Sequence, residues 1–341
     1  MSIKNWPGGR ISKTPPTPAG PYQNGAASGV WTLDQAAFWI KQGLCPTAGN
    51  VAPIGLFGGG TSTGNNVISY VFISSAGNAT DFGDLVTPNN ELAACASSTR
   101  GIFGGGGNGN VIQYITIATT GNSVDFGDLS VSRYTVSACS STTRGLFAGG
   151  IHGSTLYNFI DYITISTTGN STDFGDLTVT RYAASACSST TRGVIGGGFS
   201  NSGGTQTNVI DYVTIASTGN ATDFGDLSVT RASYGSCSSS TRGLFGGGTS
   251  SRNIIDYITI ASTGNATDFG DLTLGRNNLA ACSSSTRGVF GGGDIPVEFP
   301  LTAQNVIDYV TIASTGNATD FGDLTEATSS LAACSNAHGG L

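Results

Sequence analysis

An all-β fold is predicted for this 341-residue chain: a closed six-bladed propeller of four-stranded blades, preceded by an extended N-terminal arm with a short helix. Three observations predict it. A glycine run recurs six times, ending at Gly60, Gly106, Gly150, Gly198, Gly248 and Gly293. The string Asp-Phe-Gly-Asp-Leu also recurs six times, beginning at Asp81, Asp125, Asp173, Asp223, Asp268 and Asp320. Finally, Cys95, Cys139, Cys187, Cys237, Cys282 and Cys334 are spaced by 44, 48, 50, 45 and 52 residues, and the connections after the glycine runs hold 4, 8, 10, 5 and 12 residues; the difference is 40 every time. All length variation in these units therefore lies in one loop. Four short strands recurring at a period of about 40–50 residues are the signature of propeller blades.

Residues 1–50 stand outside the repeat and form a separate segment. They hold Lys4, Arg10, Lys13 and Lys41 against Asp34, a net +3, whereas residues 51–341 hold ten Arg, twenty acids and no Lys, a net −10. A body this acidic disfavours nucleic acid and anionic membranes as partners. Thr14-Pro15-Pro16-Thr17-Pro18 predicts extended chain. A capping box of Thr32 and Gln35 then predicts a short helix over about 33–42, ended by Gly43 and Pro46. All three tryptophans, Trp6, Trp31 and Trp39, lie here with Phe38 and Ile40. That is more aromatic surface than so short a segment buries alone, so these five residues are the candidate anchoring set. Docking of Trp31, Phe38 and Trp39 on the chain's own body is the alternative.

Residues 51–341 carry the blades. In each repeat strand A is a run of small residues around a cysteine, such as Ala138-Cys139-Ser140, and strand B is the apolar run before the glycines, such as Gly145-Leu146-Phe147. Strand C alternates Ile210, Tyr212 and Thr214 with Asp211, Val213 and Ile215, β-branched and aromatic as a sheet favours. The Gly219-Asn220 pair predicts a two-residue hairpin into strand D. The first repeat begins at strand B, Ile54–Gly60, and the last ends with a surplus strand A, Leu331-Ala332-Ala333-Cys334-Ser335, which predicts that the two pair and close the ring.

These repeats resemble the kelch family over residues 54–339. The resemblance rests on Arg133, Arg181, Arg231 and Arg276 before strand A, the glycine run ending strand B, and a strand C tyrosine from Tyr70 to Tyr309. The family's strand D tryptophan is replaced by phenylalanine, as at Phe126 and Phe174, so the repeat is kelch-like. The resemblance implies a binding scaffold with its B–C and D–A loops on one face. In the arm, Gly29-Val30-Trp31-Thr32-Leu33-Asp34-Gln35, Trp39 and Gln42-Gly43-Leu44-Cys45-Pro46 resemble a stretch of tailed-phage virion proteins, particularly of marine cyanophages. That resemblance implies a structural protein of the particle, its arm embedded among other virion proteins and its propeller displayed.

Residue chemistry points the same way. Six of the seven cysteines share one position on the innermost strand, where they should be free buried thiols made in a reducing cytoplasm. No two show metal-ligand spacing. The Asp-Phe-Gly-Asp pairs resemble a kinase string, but the body lacks a lysine to hold phosphates. These carboxylates are expected to cap turns or pair with Arg100, Arg144, Arg192, Arg242 and Arg287, with calcium as the alternative ligand. The Asn-X-Thr triplets at Asn78, Asn170, Asn220, Asn265 and Asn317 are compositional, since no apolar secretory core precedes them. With only His152 and His338, neither a catalytic nor a metal constellation is predicted, and no cofactor.

The expected contact surface is therefore the variable B–C face, with Ile151, His152, Tyr157, Phe199, Arg252, Ile295, Val297, Phe299 and Leu301 as candidates. The reading that follows is a non-enzymatic virion protein, a tail or neck fibre or a capsid-decorating appendage assembled in the host cytoplasm. It would be anchored through residues 1–50, would display the propeller to a host surface protein or glycan, and would form a homo-oligomer on the particle. The alternatives are an intracellular kelch-like adaptor and, because carboxylates are plentiful, a glycan-active enzyme.

Overall fold

The computed structural model describes residues 52–341, except 62, 63, 108, 250, 251 and 296–301, together with residues 5, 6, 9 and 10. The chain divides into two units, Met1–Ala52 and Pro53–Leu341. In the first, the short strands Asn5–Trp6 and Gly9–Arg10 pair antiparallel, Asn5 opposite Arg10. The helix expected over about 33–42 lies outside the described residues.

The second unit is an all-β six-bladed propeller of four-stranded antiparallel sheets. Blade four shows the plan: A is Ser185–Ser188, B is Arg192–Gly196, C is Val209–Thr214 and D is Thr222–Asp226. Blade one draws its strands from both ends of the unit, since Ala332–Ser335 pairs antiparallel with Ile54–Gly58, Cys334 opposite Leu56. Strands B and C are buried on both faces because blades stack against one another. Ile210, Asp211 and Val213 are all enclosed, although alternate residues point to opposite faces.

Packing between blades is a repeated exchange of volume. A Cβ on Gly193 would lie 2.8 Å from the Cys139 Sγ of the preceding blade, and one on Gly243 would lie 2.7 Å from the Cys187 Sγ. The cysteines are thus wedges between blades, all six free and buried, as their sequence position predicts. Further out, Gly104 and Gly246 leave room for Phe147 and Phe290 of the next blade. Where blade three has Ala148 in place of glycine, blade four answers with the smaller Ile195. A methyl added on one side is offset by a ring removed on the other, as close packing requires.

The strand C to D connection differs from the expected two-residue hairpin. It runs over residues 215–221, and its turn bond is Ser217 N–H to the Thr214 carbonyl. Gly219-Asn220 instead reaches the preceding blade. Gly219 N–H donates to the Phe174 carbonyl at 2.7 Å, and Asn220 Oδ1 accepts from Asp176 N–H at 3.1 Å. The same two bonds recur between every neighbouring pair, blade six to blade one included through Gly77 and Asn78. Close approach demands glycine on the strand D side: a Cβ on Gly175 would lie 2.5 Å from the Gly219 backbone, whereas one on Gly219 would meet nothing within 4 Å.

A second correction concerns the arginines. Arg100, Arg144, Arg192, Arg242 and Arg287 do not pair with the Asp-Phe-Gly-Asp carboxylates. Each lies 4.5–4.6 Å above the ring of its own blade's strand C tyrosine, from Tyr114 to Tyr309. Each also donates to a carbonyl of the following blade, as Arg144 Nη1 does to Ile215 at 2.9 Å. The ion pairs belong to the other arginine set. Arg133, Arg181, Arg231 and Arg276 bind Asp161, Asp211, Asp256 and Asp308 of strand C at 2.5–2.9 Å, fully buried. Burial pulls these guanidinium pKa values down, and the carboxylates oppose it.

Candidate functional site

The B–C and D–A loops emerge on one face and are tied together there. Ile151 bridges Tyr134, Phe199 bridges Tyr182, and Asp294 bridges Asn277, each pairing the first residue of a long B–C loop with a D–A residue. Two loops then fold into small hairpins, Ile151–His152 on Thr155–Leu156 and Asp294–Ile295 on Thr302–Ala303. At their described residues the insertions thus extend the blades.

Candidate contact residues fall into three groups. Ile151 is buried at 5% exposure and serves its own hairpin, so its side chain presents nothing to a partner. On the surface are His152, exposed with its Nδ1 donating to the Ser132 carbonyl at 2.8 Å, and the half-buried Tyr157, Phe199, Arg252 and Ile295. Tyr157 lies 5.3 Å from Phe159, which is itself 37% exposed, and Phe199 lies 5.0 Å from Tyr182. Val297, Phe299 and Leu301 lie outside the described residues. So do Trp31, Phe38, Trp39 and Ile40; Trp6 is in strand Asn5–Trp6.

The feature missed from the sequence is the axis. Just before each strand A sits one residue in the left-handed region: Glu91, Thr135, Ala183, Ser233, Asn278 or Ser330, at φ 51–58°. Ordinary side chains rarely adopt it, and here it turns each N–H sideways toward the preceding blade. Thr135 donates to Glu91, Ala183 to Thr135, Ser233 to Ala183, Asn278 to Ser233, Ser330 to Asn278 and Glu91 to Ser330, at 2.7–2.9 Å. This backbone ring rims a cavity of about 130 Å³ lined below by Ala94, Ala138, Ala186, Ser236, Ala281 and Ala333. One repeat position, three residues before each of those small residues, carries all six rim residues. Its side chains vary too widely for the sequence to mark it.

Deeper along the axis a belt of hydroxyls links the innermost strands. Ser140 Oγ donates to the Ala96 carbonyl, Ser188 to Ser140, Ser238 to Ser188, Ser283 to Ser238 and Ser335 to Ser283. Residues 336–341 continue from strand Ala332–Ser335 across this level. His338 Nε2 donates to the Ala96 carbonyl at 2.9 Å, Gly340 N–H donates to His338 Nδ1 at 3.0 Å, and Gly339 N–H donates to the Ser238 carbonyl at 2.9 Å. A Cβ at Gly339 or Gly340 would strike the Ser239 or Ser140 carbonyl. The imidazole is therefore the neutral Nε2–H tautomer, and burial pushes its pKa down.

Reactive chemistry is muted in this arrangement. Burial raises the thiols, Cys139, Cys237 and Cys334 to about 12, so they are not nucleophiles near neutral pH. The strand C aspartates are held in ion pairs. Among the described residues no three His, Cys, Asp or Glu side chains gather as a metal-binding group. The chain matches no known protein-family model and no curated protein sequence.

Proposed function

We propose that the chain is a display scaffold: a rigid kelch-like propeller carried by residues 1–50 on a larger particle of the tailed-phage type, meeting its partner through the B–C face. The observation that carries the reading is the contrast between scaffold and loops. Blade-to-blade bonds repeat almost unchanged at rim, middle and axis, while all length variation falls in one set of loops on one face. A rigid frame with variable loops is how binding surfaces are built without rebuilding a fold. The aromatic residues Tyr157, Phe159, Tyr182 and Phe199 on that face supply contact area for a protein or glycan surface. The deciding experiment is quantitative mass spectrometry of purified particles alongside the cells that make them. A fixed copy number per particle supports the reading. Abundance in cells with absence from particles overturns it.

Within the same reading, strand Ala332–Ser335 is the clasp of the ring, because it supplies blade one with its innermost strand. Deleting residues 329–341 should expose the edge of Ile54–Gly58 and remove the axial bonds of His338. Cooperative unfolding should be lost, and an unchanged transition would refute the clasp.

A further inference from the structure

We infer that the axial cavity is a receptor for a primary ammonium group on a straight alkyl stem, the chemistry of a lysine side chain or a free alkylamine. The cavity opens among the D–A loops, and its far end is crossed by residues 336–341, with His338 lining the narrower section beneath. It is therefore a blind well on the same face as the variable loops. About 130 Å³ admits a four-carbon chain with a small head group and little more.

Three features select the ligand's chemistry. Five of the six wall positions carry methyl groups, Ala94, Ala138, Ala186, Ala281 and Ala333, which suit an aliphatic stem, while Ser236 completes the ring with a hydroxyl already donated to the Ala186 carbonyl. At the rim stands Glu91, a half-buried carboxylate, where the other five blades place Thr, Ala, Ser, Asn and Ser. Among the described residues its carboxylate has no hydrogen bond and no cation, and burial raises its pKa. Nine of the ten arginines of residues 51–341 are engaged in the Asp pairs or over the tyrosines, and the tenth, Arg252, stands in a B–C loop of blade five. A desolvated carboxylate without a partner favours an arriving cation.

Backbone acceptors add to it. Ser97 N–H bonds the Arg100 carbonyl, so the antiparallel ladder turns the amide groups of Ala94 and Ala96 to the free inner edge. At the Ala96 level serine hydroxyls cap these edges. At the Ala94 level only the Ala186 carbonyl receives one, from Ser236 at 2.8 Å. The carbonyls of Ala94, Ala138 and Ala333 face the well without a side-chain donor, and an ammonium carries three N–H donors to offer them. The body has no lysine, so it supplies no such group itself.

The inference deepens the scaffold reading by naming a ligand chemistry for its face, yet it is tested on the purified full chain without particles, so either can fail alone. Calorimetric titration at neutral pH with n-butylamine and with Nα-acetyl-lysine methylamide supplies the two arms, with n-butanol and butyrate as controls. Both amines should bind and neither control should. Binding of butylamine alone would assign the well to free amines, and binding of both would admit lysine side chains of proteins. Glu91→Gln should weaken binding about tenfold or more, the scale of a lost charged hydrogen bond, with melting unchanged. Ala138→Val, which narrows the well, should abolish it. Absence of amine binding, equal binding of butanol, or an unaltered affinity in Glu91→Gln would each overturn the inference.

Discussion

Removing one member of the buried Arg181–Asp211 pair should be far more damaging than removing both. Arg181 is fully enclosed and donates from Nη2 to Asp211 Oδ2 at 2.7 Å and from Nη1 to the Val209 carbonyl at 2.9 Å. Asp211 in turn accepts from the N–H and hydroxyl of Thr178, tying the D–A loop to strand C. Arg181→Asn alone strands a carboxylate in the blade, and Asp211→Gln alone strands a guanidinium; each should cost about 3–5 kcal/mol. At roughly 2–4 °C of melting temperature per kcal/mol for a large domain, that is a fall of about 10 °C. The double variant Arg181→Asn, Asp211→Gln should recover most of the loss, because the molecule already contains it. Blade two carries Asn89 and Gln113 at these two positions; Gln113 Oε1 accepts from Val86 N–H, and Asn89 Nδ2 donates to the Gly105 carbonyl. Blade one carries Thr328 and Ser69, both buried. Charge is present at both positions or at neither, as expected if a lone buried charge is what the fold cannot hold. Urea unfolding of the two singles and the double closes a mutant cycle with a coupling of at least about 4 kcal/mol, the two single losses less the small residual cost of the double. Additive losses would refute the argument and show that each residue acts through its own contacts.

Other outcomes follow from the same geometry. Gly175→Ala should destabilise by more than about 1 kcal/mol, since its Cβ meets the Gly219 backbone at 2.5 Å; Gly219→Ala, whose Cβ meets nothing within 4 Å, should cost less, and urea midpoints will order them. The six described thiols, raised by burial, should resist iodoacetamide at pH 8 in the native state and react after denaturation, as read by peptide mapping. Labelling of native Cys187 would contradict its wedge position. His338 is held neutral, its pKa below the unfolded value. The unfolded state then binds the proton first as pH falls, so this contribution is full above about pH 6.5 and shrinks below it. Protonation at Nδ1 would also break the Gly340 bond. Hydrogen exchange of residues 336–341 should therefore accelerate at pH 5 relative to pH 7.5, and His338→Gln should remove that pH dependence.

Much of this architecture is legible in the sequence because a repeat protein states its plan six times. The glycine runs, the Asp-Phe-Gly-Asp-Leu strings and the constant remainder of 40 residues identify the blades and locate the variable loops. Cysteine in place of alanine or serine on strand A already speaks of a crowded inner position, and the six buried thiols agree. Ionic partners were not legible. Asp-Phe-Gly-Asp recurs in all six repeats and the strand B arginine in five of them, so periodicity alone cannot say whether they meet. They do not, because the strand C tyrosine claims the arginine and a different aspartate claims a different arginine.

What the sequence determines by itself is everything set by local period and residue volume: strand, blade, loop length and the small residues at the centre. What only the tertiary structure decides is what happens between blades. Gly219-Asn220 looks like a hairpin tip when one repeat is considered alone, yet its bonds go to the preceding blade. The rim of Glu91, Thr135, Ala183, Ser233, Asn278 and Ser330 shares a backbone angle rather than a side chain, so no residue pattern announces it. The axial well exists only because six such positions, far apart in the chain, are brought around one axis, where each N–H finds the carbonyl of the blade before it.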